Sequence, residues 1–318
     1  MKGLLYSPVK NYIISLTSLL QNDKTSINLV NESLLTRGYS FIRLPKELVE
    51  QIDICIQLME LFFQEPLYYK KKYFKEPIFG YFAVNHKESF RLLTGKRIDE
   101  QKIPDNLSQL KSLINTIDKI MYSMSLILAP TLFPNLLTNT HKLDIPLFDK
   151  TLPWGMFDIA KYHNTGSRTE LNCKAHYDPG LLSLSLRSTQ PGLQLKDEFG
   201  KWIKTPEDKN IAILWTGKAA HDLNNKIKLG VHRVVNPDTN SIGKPRISMW
   251  HEICTSAQEH KELINKKKPD SEAKTGIPIS KSLSPSLLPS SASKELKKLQ
   301  AEEFFGYSSF PVNLYSTL

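Results

Sequence analysis

The chain has 318 residues, a formal net charge of +10 and 40% apolar residues, enough for a sizeable core, and no apolar run in it is long enough to cross a bilayer. Cys55, Cys173 and Cys254 are widely spaced with no Cys-x-x-Cys, which argues against a disulfide framework and a zinc site and fits a reducing, cytoplasmic setting. Basic residues are scattered or in short runs such as Lys70-Lys71-Lys72 and Lys266-Lys267-Lys268. That is the pattern of solvated faces, and it argues against nucleic acid as a partner, while the same positive field suits acidic small molecules.

In chain order, the apolar stretch 12–20 is broken by Ser15, Thr17 and Ser18 and lacks a signal-peptide core. The first third then reads as helical. Over 46–63, Leu48, Ile52, Cys55, Met59 and Phe62 alternate steps of four and three, which predicts a helix with one apolar face. A second helix is expected with Asn106 as its cap and Leu110, Ile114, Ile117, Met121, Met124 and Leu128 on one stripe. Between them, residues 80–95 look extended.

The period then falls to two. Leu182, Leu184 and Leu186 alternate with serines, Leu193 and Leu195 flank Gln194, and Gly200-Lys201-Trp202 predicts a hairpin turn. Ile211, Ile213 and Trp215 alternate again, followed by strands at 231–235 and 246–253. Short strands at near-regular spacing point to an antiparallel barrel or double-sheet jelly roll. Residues 265–294 turn Lys-, Ser- and Pro-rich, a linker composition, and 294–305 reads as a last short helix ahead of aromatic residues from Phe304 onward.

The chemistry concentrates at His176-Tyr177-Asp178. In an extended segment residues two apart project to one side, so the imidazole and the carboxylate converge. Pro179-Gly180 then turns the chain into the strand at 182. His232 stands far downstream in the otherwise apolar Gly230-Val231-His232-Arg233-Val234-Val235. Two imidazoles and one carboxylate are the ligand set of a mononuclear non-haem iron(II) centre with open positions. Arg246 and Ser248 share a strand face, where a guanidinium and a hydroxyl can grip a carboxylate, and Tyr162 can add a phenol. Two other His-x-Glu triplets, His86-Lys87-Glu88 and His260-Lys261-Glu262, read as solvated surface.

These residues resemble the isopenicillin N synthase-like branch of the iron(II)/2-oxoglutarate dioxygenases. Pro191-Gly192-Leu193-Gln194-Leu195 with Gly200-Lys201-Trp202-Ile203 looks like the family hairpin between the iron ligands, His232-Arg233-Val234 like its "HRV" strand, and Arg246-Ile247-Ser248 like its Arg-x-Ser. Gly38-Tyr39-Ser40-Phe41 and Lys87-Glu88-Ser89-Phe90 resemble its helical cap region. The likeness runs over about residues 35–255 and is densest from 150 onward. The chain departs from the family at Tyr177, usually a small Thr, which narrows the pocket mouth. It departs again at 160–163, where only Tyr162 carries over, and at Gly217-Lys218, usually Gly-Asp. No family counterpart exists for the segment after 265.

The resemblance implies a mainly β fold with a helical N-terminal region and a double-stranded β-helix (jelly-roll) core. The chain is expected to divide into a mainly helical cap region (1–130), the jelly-roll core (131–258) and a Ser-, Pro- and Lys-rich linker and tail with a short helix (259–318). The resemblance also implies Fe(2+) held by His176, Asp178 and His232. It implies 2-oxoglutarate held by Arg246, Ser248 and Tyr162, with O2 as oxidant and a small-molecule substrate oxidised at a C–H bond. Tyr177, Lys218, His221 and Trp250 are the expected substrate-pocket residues, and the enzyme is expected to be a cytoplasmic monomer. Two other readings remain open: an iron oxidase of the same fold that does not use 2-oxoglutarate, and a jelly-roll binding protein without catalysis.

Overall fold

The computed structural model describes residues 12–75, 79–84, 86–133, 155–164, 171–236 and 243–253. The linker and final helix expected after residue 265 lie outside them. In chain order the elements are β1 (Ile13–Ser15), α1 (Leu16–Leu20), α2 (Lys24–Thr36), β2 (Tyr39–Arg43), α3 (Lys46–Gln64), α4 (Leu67–Lys70), β3 (Phe74–Lys75), β4 (Phe79–Val84), β5 (Lys87–Leu93) and α5 (Ser108–Leu132). There follow β6 (Gly155–Tyr162), β7 (Leu171–His176), β8 (Leu182–Ser188), β9 (Leu193–Lys196), β10 (Trp202–Lys204), β11 (Ile211–Thr216), α6 (Lys218–Leu223), β12 (His232–Val235) and β13 (Arg246–Ile253).

The strands form two sheets. The larger runs β1-β2-β11-β8-β13-β6-β5-β4-β3 and the smaller β10-β9-β12-β7. From β6 onward the chain passes back and forth between the sheets, with only the β9–β10 hairpin staying in one, and the pairings in this part are antiparallel. Four strands facing four in this way is the double-stranded β-helix that the alternating leucines lead one to expect.

The two faces of the larger sheet carry different cores. On one, Phe90, Leu92, Phe157, Ile159, Leu184, Leu214, Ile247 and Met249 pack against helical residues such as Ile52, Met59, Ile114 and Met121. This apolar seam is why α3 and α5 are amphipathic. On the other, Tyr39, Phe41, Ile211, Ile213 and Trp215 meet Cys173, Leu193, Leu195 and Val234 of the smaller sheet. Because side chains alternate along a strand, the partners of the helix-facing residues point between the sheets: Lys87, Ser89 and Arg91 on β5, Asp158, Ala160 and Tyr162 on β6, and Arg246, Ser248, Trp250 and Glu252 on β13.

Two expectations need correction. Asn106 does not cap the second helix. It lies in a 3₁₀ turn, Asp105–Leu107, and α5 starts at Ser108 without a side-chain cap, because burying Leu107 fixes the entry to the helix instead. Within the mainly helical N-terminal region, β2 pairs with β11 and extends the larger sheet. Lys87 and Glu88 are buried rather than solvated, because β5 is an interior strand between β4 and β6. Glu88 faces the helical side, where Lys70 pairs with it, Tyr81 donates to it at 2.9 Å and Lys161 lies at 3.5 Å.

Candidate active site

His176 ends β7, His232 begins β12, and the two are register partners. Asp178 follows two residues after His176 in the turn into β8. One ligand atom from each of the three lies within 4.8 Å of the others, a grouping that could hold a metal ion. The rings are tilted against each other with centroids 4.2 Å apart. His176 Nδ1 lies 2.8 Å from the Lys174 carbonyl and His232 Nδ1 2.9 Å from the Gly230 carbonyl. A carbonyl only accepts, so each Nδ1 carries the proton and each Nε2 is left as the donor for a metal.

Asp178 is oriented by the same logic. Its Oδ2 accepts from Ser183 Oγ at 2.5 Å and from Trp215 Nε1 at 2.6 Å. Its Oδ1 faces the imidazoles, 3.8 Å from His176 Nε2 and 3.7 Å from His232 Nε2. One oxygen is anchored and the other is presented. The Trp215 ring also lies over His232, with centroids 4.4 Å apart. Burial works against ionised Asp178, but the two histidines and its two donors outweigh it and hold the carboxyl below its usual range.

The imidazoles titrate in opposite directions. Burial opposes a proton on His176, yet Cys173, with Sγ 3.7 Å from Nδ1, and Asp178 raise it to about 9. Burial and the neighbouring His176 push His232 down to about 4. A bound divalent ion would replace the proton on His176.

The turn that carries Asp178 is held by backbone. The Lys218 N–H donates to the Asp178 carbonyl at 2.7 Å, and Gly180 N–H donates to Glu252 Oε1 at 2.5 Å. A Cβ on Gly217 would stand 2.2 Å from the Gly180 carbonyl oxygen and 2.8 Å from that of Asp178, so only glycine permits this approach.

Arg246 begins β13 opposite Tyr162 of β6. It is 2% exposed. Its Nε donates to the Gln190 carbonyl at 3.1 Å, and its guanidinium lies 5.6 Å from the centre of the Tyr162 ring. Its Nη1 is buried without a hydrogen-bond partner among the described residues. Burial pushes the Tyr162 phenol well above its ordinary value, so it stays protonated. Ser248 shares the inner face with Arg246, and a cavity of about 170 Å³ opens onto Arg246, lined also by Ser185, Leu193, Ile211 and Ile213. An orphaned guanidinium nitrogen beside a phenol and a hydroxyl fits a carboxylate ligand.

The four expected pocket residues are half-buried. Tyr177 lies between the two ligand residues, and Trp250 shares the inner face with Arg246 and Ser248. The Lys218 ammonium pairs with Asp222 one turn along α6, and His221 Nδ1 is 2.7 Å from the Ile227 carbonyl. Sequence reasoning missed Ser183, Trp215 and Glu252. Alternation marks Ser183 and Trp215 as strand residues, but nothing local shows that they reach Asp178.

The fold is a double-stranded β-helix, and it carries a candidate metal triad. Residues 156–255 match the model of the 2OG-Fe(II) oxygenase superfamily. No curated protein sequence matches the chain. Among solved structures it is similar to a Shewanella oneidensis oxygenase, with 18% identity, 77% of this chain and 90% of that one covered, and a TM-score of 0.64. It is similar to a full-length Neurospora crassa protein in complex with alpha-KG and 5-formyluracil, with 19% identity, 81% and 89% coverage, and a TM-score of 0.63. A third is the Arabidopsis thaliana dioxygenase for auxin oxidation 1 with 2-oxoglutarate, at 18% identity, 77% and 93% coverage, and a TM-score of 0.64. Among the described residues no helix is long and apolar enough to cross a membrane.

Proposed function

We propose that the chain inserts oxygen into an unactivated C–H bond of a small organic substrate. In balance, R–H, O2 and 2-oxoglutarate give R–OH, succinate and CO2, and desaturation or ring closure would start from the same hydrogen removal. His176, Asp178 and His232 would hold Fe(2+), which supplies O2 activation when bound. The observation that carries the reading is the pairing of this triad with a buried Arg246 whose Nη1 lacks a partner among the described residues.

The chain's own residues do the rest. Arg246 neutralises and orients the far carboxylate of 2-oxoglutarate, with Ser248 and Tyr162 as further donors. Ser183 and Trp215 keep the presented oxygen of Asp178 aimed at the metal. Ile213, Leu193 and Trp215 line the space between the sheets and exclude water, which suppresses side reactions of the oxidant. Tyr177 and Trp250 stand at the substrate side. In this reading residues 131–258 carry the chemistry, residues 1–130 brace the larger sheet, and the enzyme works as a cytoplasmic monomer.

The test is anaerobic titration of iron(II) and 2-oxoglutarate into wild type and Arg246→Ala, watching for the visible metal-to-ligand band. A band in wild type that is lost or greatly weakened in the variant is expected. Iron binding with no band would favour an oxidase that does not use 2-oxoglutarate. No iron binding would refute the proposal.

A further inference from the structure

The cavity that opens onto Arg246 also leads out of the protein. Ser185, Ile213 and the 2%-exposed Arg246 stand at its inner end, and the exposed Pro206, Glu207 and Lys209 at its outer end. Neither the triad nor Tyr177 nor Trp250 lines it. The guanidinium therefore has a way to solvent that passes neither the metal ligands nor the expected substrate side.

Strand direction accounts for this. β8 leaves the Asp178 turn at Leu182 and ends at Ser188. β11 runs from Ile211 to Thr216, next to Gly217, whose N–H donates to the Leu181 carbonyl at 3.1 Å. β13 runs from Arg246 to Ile253, whose carbonyl accepts from Leu181 N–H at 2.7 Å. The Asp178 turn thus sits at one end of these three strands. The cavity sits at the other, between the end of β8 and the loop 205–209 that enters β11.

Its inner end still comes close to the metal ligands. Ser183 and Trp215 hold Asp178, and Ser185 and Ile213, each two residues along the same strand, line the cavity. Two residues of a strand rise about 7 Å and put both side chains on one face. Two separate strands therefore place the inner end one such step from the anchors of Asp178, a step that a five-carbon dicarboxylate can span.

We infer that this opening is the route by which 2-oxoglutarate enters and succinate leaves, separate from the side that receives the substrate. The inference rests on the oxygenase reading of the site and adds how its cosubstrate is exchanged. The direction suits the ligand, because the oxo-acid end goes in first toward the triad and the far carboxylate arrives last at Arg246. The mouth is braced from the helical side. Asp53 of α3 pairs with Arg187 near the end of β8 and, at 3.1 Å, with Lys209 of the loop, and both partners line the cavity. One carboxylate ties the two banks of the mouth together.

Stopped-flow mixing of 2-oxoglutarate with the anaerobic iron(II)-loaded chain follows the growth of the visible band, and a chase with excess succinate follows its loss. Glu207→Cys supplies a removable plug, since its exposed thiol can be modified with benzyl methanethiosulfonate and freed again by reduction. Wild type treated alike and labelled Lys201→Cys, exposed on the turn between β9 and β10, are the controls. Association and dissociation should both slow by about tenfold in labelled Glu207→Cys, while the affinity, which does not depend on the route, stays within about threefold. Reduction should restore both rates. Asp53→Asn, which unties the mouth from outside the cavity, should raise both rates a few-fold.

Wild-type rates in labelled Glu207→Cys would overturn the inference. So would a loss of affinity with dissociation unchanged or faster, because the label would then damage the site rather than close a route. Equal slowing in labelled Lys201→Cys would overturn it too, and unaltered rates in Asp53→Asn would refute the brace. Absence of the band in wild type is a different result, which removes the 2-oxoglutarate reading itself.

Discussion

Trp215→Phe isolates the orientation of Asp178 from its charge. The phenyl ring keeps the packing over His232 and among Tyr39, Phe41 and Ile213. What disappears is the indole N–H that donates at 2.6 Å to Asp178 Oδ2. A hydrogen bond to a charged group contributes about 1.5–3 kcal/mol, which corresponds to roughly ten- to a hundredfold in metal affinity. Ser183 Oγ remains on the same oxygen and places the expectation toward the lower end. Cobalt(II) titration followed by its visible absorption measures the affinity directly, with circular dichroism melting as the folding control. Ser183→Ala should behave alike, and the double variant should lose more than the sum of the two, because Oδ2 is then unanchored. A folded Trp215→Phe that binds cobalt as tightly as wild type would refute the idea that the indole positions the ligand.

Gly217→Ala should disturb the Asp178 turn, since its Cβ would overlap two carbonyl oxygens. A loss of about 1–3 kcal/mol in stability is expected, together with weakened metal binding, and an unchanged urea midpoint with intact metal binding would contradict it. Glu88→Gln should destabilise by about 3–5 kcal/mol at neutral pH, because the Lys70 ammonium stays buried without its countercharge. Urea unfolding measures this loss, and a value near zero would count against the pair's role. The pH dependence follows from Glu88. Burial opposes its ionisation, but Lys70, Tyr81 and Lys161 outweigh it and hold the carboxyl below its ordinary value. The folded-state pKa is depressed, so the stabilisation is present above the unfolded value of about 4.3 and is lost as pH falls through the folded one. Wild type should therefore lose stability in that acid window and Glu88→Gln should lose less, so identical pH profiles would sink the assignment.

Periodicity made much of this fold legible. The steps of three and four in α3 and α5 and the alternation in β8, β11 and β13 follow directly from which face is buried, and β13 has the boundaries that alternation suggested. The convergence of His176 and Asp178 was legible because a spacing of two in extended chain is a local geometric fact. His232, Arg246 and Ser248 were legible through motif. Other features were decided by tertiary structure alone. The burial of Lys87 and Glu88 depends on β4 and β6 pairing on either side of β5. The hydrogen bond from Trp215 to Asp178 joins two segments that only the pairing of β8 with β11 brings together. Local pattern records which side of a strand a residue occupies, but not what the next strand places opposite it. The sequence alone determined the element types and singled out the candidate ligand set, and the register between strands decided which polar side chains share the interior.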